Sequence, residues 1–139
     1  MIIRRLVPVF LLLLLAFVPG CGGNNQKLTG TVTYTDDGSP VKAGIVILEN
    51  NNKMGRGEID ANGKFVMGFG SSKDGIPKGE TYKVTIVNAL EETGTDRSGM
   101  PIMTPLIDSK YGNSNTSGLT FTSDGTTKTL DLKVDRYQK

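Results

Sequence analysis

Among side chains able to act as nucleophile, metal ligand or proton carrier near neutral pH, this chain offers one cysteine and no histidine. The missing histidine removes Ser-His-Asp triads, and with a single thiol no disulfide and no His- or Cys-based zinc or copper site is expected. The position of Cys21 suggests a different chemistry. Arg4 and Arg5 precede an apolar run over residues 6–17, followed by Val18-Pro19-Gly20 and then the cysteine. A basic start, a short apolar core and a small residue before a cut are the three parts of a secretory signal. The run is shorter than the roughly 20 apolar residues a spanning helix needs.

Other combinations are weaker. Asp60-Ala61-Asn62-Gly63 is a fragment of a calcium loop, but calcium takes six to eight oxygens and no acid follows until Asp74. It reads as a tight turn, and Asp36-Asp37 as a solvated one. Ser109-Lys110 would make a nucleophile pair only if both faced one way, and neighbours on an extended chain face opposite sides. No pair of carboxylates can be brought together from spacing alone. We therefore read the chain as not an enzyme, with no metal and no cofactor.

Val18-Pro19-Gly20-Cys21 resembles the lipobox of bacterial lipoproteins. The resemblance implies diacylglycerol on the Cys21 sulfur, cleavage before it and acylation of the new N-terminus. Two or three acyl chains hold a protein firmly on a bilayer, where one alone is marginal. Gly22, rather than aspartate, after the cysteine resembles the pattern for transfer to the outer membrane, with the domain facing the periplasm or the cell surface. Residues 1–20 are then the signal peptide and residues 21–27 the lipidated cysteine with a short tether.

Arg4 and Arg5 account for the whole formal charge of +2, so the remainder is neutral. A neutral domain gives no electrostatic case for nucleic acid as partner. The remaining length suits one domain.

Beyond the tether, apolar residues recur with period two rather than at helical spacing. Leu28, Gly30, Val32 and Tyr34 alternate with threonines, so one face is buried and the other polar. Residues 44–49 are apolar on both faces and read as a central strand. Residues 53–60, 64–69 and 81–88 supply three more strands, the last with Tyr82, Val84 and Ile86 inward. Residues 118–122 follow, then a final strand with Leu130, Leu132 and Val134 inward. Turn residues separate them, and the sum is an all-β, seven-stranded antiparallel β-sandwich over residues 28–135.

The order Gly30-x-Val32-x-Tyr34, Asp37-Gly38-Ser39-Pro40-Val41, Gly57-x-Ile59-Asp60-x-Asn62-Gly63-x-Phe65 and Ile76-Pro77-x-Gly79-x-x-Tyr82-x-Val84 is similar to the carboxypeptidase regulatory-like domains. That resemblance implies a transthyretin-like (prealbumin-like) sandwich carried by a small bacterial lipoprotein. It also implies that Tyr82 packs its ring inside and bonds its hydroxyl to nearby backbone. Activities of related folds find no footing. The hydroxyisourate hydrolases use histidines and a C-terminal Tyr-Arg-Gly-Ser, whereas this chain ends Arg136-Tyr137-Gln138-Lys139. Pilin-type internal isopeptides need a carboxylate where this chain has Ile86.

Residues 90–115 show no period and read as a long loop, whose apolar part holds Met100, Pro101, Ile102, Met103, Pro105, Leu106, Ile107 and Tyr111. These either cap an open end of the sandwich or contact a partner through Met103, Leu106, Ile107 and Tyr111, since binding residues tend to lie on loops carried by a rigid scaffold. The function expected is a membrane-anchored accessory or interaction module of the cell envelope, with a protein or glycan as partner. A purely structural envelope lipoprotein is the alternative, and a carboxylate-based hydrolase comes third.

Overall fold

A computed structural model describes residues 25–51, 53–69 and 75–139. Cys21, the signal segment and residues 22–24 lie outside the described residues. The described chain is all-β apart from one short 3-10 turn. Its strands are β1 (Asn25–Gln26), β2 (Thr29–Tyr34), β3 (Ile45–Asn50), β4 (Lys53–Glu58), β5 (Lys64–Val66), β6 (Gly68–Phe69), β7 (Ile76–Pro77), β8 (Thr81–Val87), β9 (Leu90–Thr95), β10 (Pro101–Pro105), β11 (Leu119–Thr122) and β12 (Thr129–Val134). The 3-10 turn spans Ser109–Gly112.

Two sheets make up the body: a five-stranded antiparallel one in the order β11-β8-β3-β4-β6, and a three-stranded one in the order β12-β2-β5. As the doubly apolar pattern predicts, β3 is the central strand of the larger sheet. Val32, Phe65, Leu132 and Val134 from the smaller sheet and Val46, Leu48, Tyr82, Val84 and Ile86 from the larger one join a single buried cluster. The alternation predicted for β2, β8 and β12 holds at each of these positions.

Glycine sets the closeness of that packing. A Cβ on Gly30 would overlap the Leu130 carbonyl oxygen and lie 2.8 Å from Phe65 Cε1, so the Phe65 ring fills the place of a side chain on β2. On the buried face of β4, a Cβ at Gly57 would lie 2.8 Å from the Val66 carbonyl oxygen, and one at Gly55 3.2 Å from Ile76 Cγ2. The inner face of β4 is thus bare backbone, covered by Phe65, Met67 and Ile76.

Several expectations need correction. The strand count is higher than seven, and β12 runs parallel to β2, not antiparallel. The run 64–69 is two strands: β5 pairs with β2 in the smaller sheet and β6 with β4 in the larger. Met67, between them, is fully buried where the chain crosses from one sheet to the other. The ordered domain begins before Leu28, because β1 pairs with β7 and Gln26 is 3% exposed. Ser123 Oγ and Gly125 N each lie 3.0 Å from Gln26 Oε1, while Gln26 Nε2 donates to the Thr127 carbonyl. A buried amide needs its donors and acceptors matched, and this one has them.

Residues 90–115 are not a long loop. β9 and β10 form an antiparallel hairpin closed by a turn at Asp96, whose carboxylate accepts from Ser98 N and Met100 N; the 3-10 turn follows.

Candidate functional site

The hairpin is the most exposed part of the described fold. Every residue of β9 is exposed, as are Met100, Ile102 and Met103. A two-stranded ribbon alone is marginal in water, so its base matters. Leu106 N donates to the Ala89 carbonyl, Tyr137 N to the Leu106 carbonyl, and Ile107 bridges to Arg136. The bonds at its two ends, Asp96 N to Met100 O and Leu106 N to Ala89 O, put Pro101 and Pro105 in non-hydrogen-bonded pairs. Both prolines therefore stand where an N–H would have faced the free edge of β10, which removes two donors from that edge.

The C-terminal segment braces the same end of the domain. Arg136 donates to Asp36 Oδ2 and Asp37 Oδ2, both at 2.8 Å, and to Ser39 Oγ at 2.9 Å, while its guanidinium carbon sits 3.7 Å from the Tyr34 ring centre. The Asp36-Asp37 turn is thus bound by its own chain. The hydrogen bond from the Ser39 hydroxyl is the main cause holding the Asp37 carboxyl down at about 2. Beside it, Asp135 accepts from Lys110 Nζ (2.5 Å), Thr35 Oγ1 (2.7 Å) and the Tyr111 hydroxyl (3.1 Å). The Lys110 hydrogen bond, first among these, lowers Asp135 to about 2. Lys110 Nζ is thus paired with the Asp135 carboxylate.

A cleft of about 820 Å³ opens on the outer face of the larger sheet. Strand register builds it: Met54 lies opposite Glu49, Glu49 opposite Lys83, and Lys83 opposite Thr120. Asn50, Asn51 and Ser114 complete a polar lining. Glu80, at its margin, accepts from Lys53 Nζ, from Asn50 Nδ2 at 2.9 Å and from the Tyr82 hydroxyl at 3.2 Å. The Lys53 contact is the leading cause that holds its carboxyl below the usual range. Glu80 thus stands ionised as a hydrogen-bond acceptor, the opposite of a poised general acid.

Tyr82 faces inward on β8, as its alternation predicts. Its ring is fully buried, and its hydroxyl lies 3.3 Å from the Pro77 carbonyl. Burial, then the charge on Glu80, pushes its phenol up to about 12.

The residues singled out in the 90–115 segment separate into two groups. Met103 is 49% exposed on the hairpin, whereas Ile107 and Tyr111 are each 5% exposed and belong to the core, with Leu106 partly buried against it. Ile107 and Tyr111 are core residues and present no contact surface. Ile102 and Met100 are exposed beside Met103 on the hairpin. Asp60 is a turn residue, its carboxylate accepting from Asn62 N at 2.8 Å and Lys64 N at 2.9 Å. Among the described residues no three His, Cys, Asp or Glu converge to hold a metal, and no helix is long and apolar enough to cross a membrane.

No family model matches the chain, and no curated protein matches it. Among solved structures, a 9R-lipoxygenase from Cyanothece PCC8801 aligns at 16% identity with a TM-score of 0.36, over 79% of this chain and 16% of that one. So low a score carries neither fold family nor activity to this chain.

Proposed function

We propose that this chain is a lipid-anchored, non-enzymatic interaction module of the cell envelope, held on a membrane through Cys21, by preference the outer membrane. Its domain is proposed to be a transthyretin-like sandwich of the carboxypeptidase regulatory-like kind. The shared core of the two sheets and the hydroxyl contact of Tyr82 support that reading.

The observation that carries the interaction role is the exposed β9–β10 hairpin. It stands at the opposite end of β8 from β1, and so away from the anchor. Met100, Ile102 and Met103 expose apolar surface there, on a ribbon fastened at its base by the C-terminal segment. Exposed apolar surface on a rigid projection fits a protein partner better than a glycan, for which aromatic platforms would be expected. Affinity capture from the native envelope tests this. The wild-type chain should enrich a partner that an Ile102→Asp, Met103→Asp double variant does not. Equal recovery by both, or by neither, contradicts a hairpin contact.

A further inference from the structure

The register of the strands also fixes which end of the domain faces the anchor. β1 is joined to β7 and pinned by the buried amide of Gln26, leaving only residues 22–24 between Cys21 and Asn25. Four Cα steps of 3.80 Å limit that link to about 15 Å. The β1 end of the fold therefore cannot stand far from whatever holds Cys21.

Charge is unevenly divided along this axis. Lys27, Lys78 and Lys128 cluster at the β1 end: Lys27 follows β1, Lys78 follows β7, and the Lys128 carbonyl accepts from Thr29 N at 3.1 Å. All three are exposed, and none has a carboxylate partner among the described residues. Among the described residues, the acids near this end are engaged elsewhere. Asp124 turns into its own loop, accepting from Thr126 N at 2.8 Å and Thr127 N at 2.7 Å, and Glu80 is held by Lys53. At the far end, where β2, β8 and β12 finish, stand Glu91, Glu92 and Asp96 with Arg97, while Asp36 and Asp37 are paired with Arg136.

We propose that the β1 end is a docking face for a bilayer bearing anionic phospholipid headgroups, with Lys27, Lys78 and Lys128 as its contacts. The acidic hairpin end then points away from the membrane. A neutral mature chain would show no such affinity from its net charge, but surface lysines act within a Debye length and a dipolar domain orients by its near end. The proposal rests on the anchored reading for its setting, yet it is testable without cellular acylation because the lone cysteine permits chemical attachment.

The chain from Cys21 onward contains every core residue, from Leu28 to Val134. Coupled through the Cys21 thiol to a maleimide lipid, it would be presented on vesicles of phosphatidylcholine alone or with phosphatidylglycerol. Amine labelling followed by mass spectrometry then reads each lysine. Lys27, Lys78 and Lys128 should label about fivefold more slowly on the anionic vesicles, with the difference erased by high salt. Lys42 and Lys133 should label alike on both. Equal labelling of all five on both vesicle types overturns the proposal. So does slowing of Lys42 and Lys133 as large as that of Lys27, Lys78 and Lys128. Failure of acylation in cells would defeat the anchor and leave this measurement standing.

Discussion

Gly30→Ala tests the packing most severely, because it adds one methyl group where two independent neighbours already stand. Gly30 lies in β2 with no positive φ, so backbone conformation gives no reason for glycine there. The added Cβ would overlap the Leu130 carbonyl oxygen and crowd Phe65, whose ring is 2% exposed and cannot swing into solvent. Relief would need the parallel β2–β12 pair to spread and Phe65 to leave its rotamer together. Overpacking of a tight core costs about 1–3 kcal/mol, and a clash with backbone belongs at the upper end, so about 3 kcal/mol is expected. Against a domain stability of about 5–15 kcal/mol this is a large share. It would lower the melting midpoint by roughly 12 °C at about 4 °C per kcal/mol. Urea unfolding followed by far-ultraviolet circular dichroism measures it, with Gly38→Ala as control. Gly38 has φ +71° and nothing within 4 Å of an added Cβ, so only backbone strain of about 1 kcal/mol applies. If Gly30→Ala costs no more than Gly38→Ala, the close approach of Phe65 and Leu130 is refuted.

Three further outcomes follow from particular contacts. Ile107→Ala should cost about 2–4 kcal/mol in chemical denaturation. Met103→Ala should stay within about 0.5 kcal/mol, because the side chain is exposed; equal costs would contradict the division between core and surface. Tyr82, raised from 10.0 to about 12, is neutral in both states below pH 10, so its contribution is fully present there and is lost as pH rises towards 12. Ultraviolet titration of the phenol should show this late step, and Tyr82→Phe should remove it. Asp135, lowered from 3.8 to about 2, contributes stability above pH 3.8 that is lost as pH falls towards 2. Asp135→Asn should flatten that part of the stability–pH curve.

Legibility in the sequence followed burial. β2, β8 and β12 announced themselves because one face of each is buried and the other wet, and the central place of β3 followed from apolar residues on both faces. The hairpin β9–β10 had no such signal. Both its faces are solvated, so no period appears, and Pro101 and Pro105 argue against a strand unless their N–H positions face a free edge. The division of 64–69 at Met67 was hidden for a related reason. Both sheets point into one core, so alternation continues while the pairing partner changes. Strand direction is likewise silent, since period two is the same in parallel and antiparallel pairs. At the candidate site, apolar composition alone could not separate Met103 from Ile107 and Tyr111. The contacts of Arg136, and that of Asp135 with Thr35, join residues about a hundred positions apart, and those of Asp135 with Lys110 and Tyr111 about 25, so none leaves a local pattern. Gln26 looked like tether because one polar residue among Gly, Asn and Lys gives no hint of a buried amide.

The most direct test of the anchored reading is the mass and label of the protein taken from its own envelope. Intact mass spectrometry should give a chain beginning at Cys21 and carrying diacylglycerol with an amide-linked acyl group. Metabolic palmitate should label this chain and not Cys21→Ala. A chain that retains residues 1–20, a free thiol at Cys21, or palmitate that persists in Cys21→Ala would contradict it.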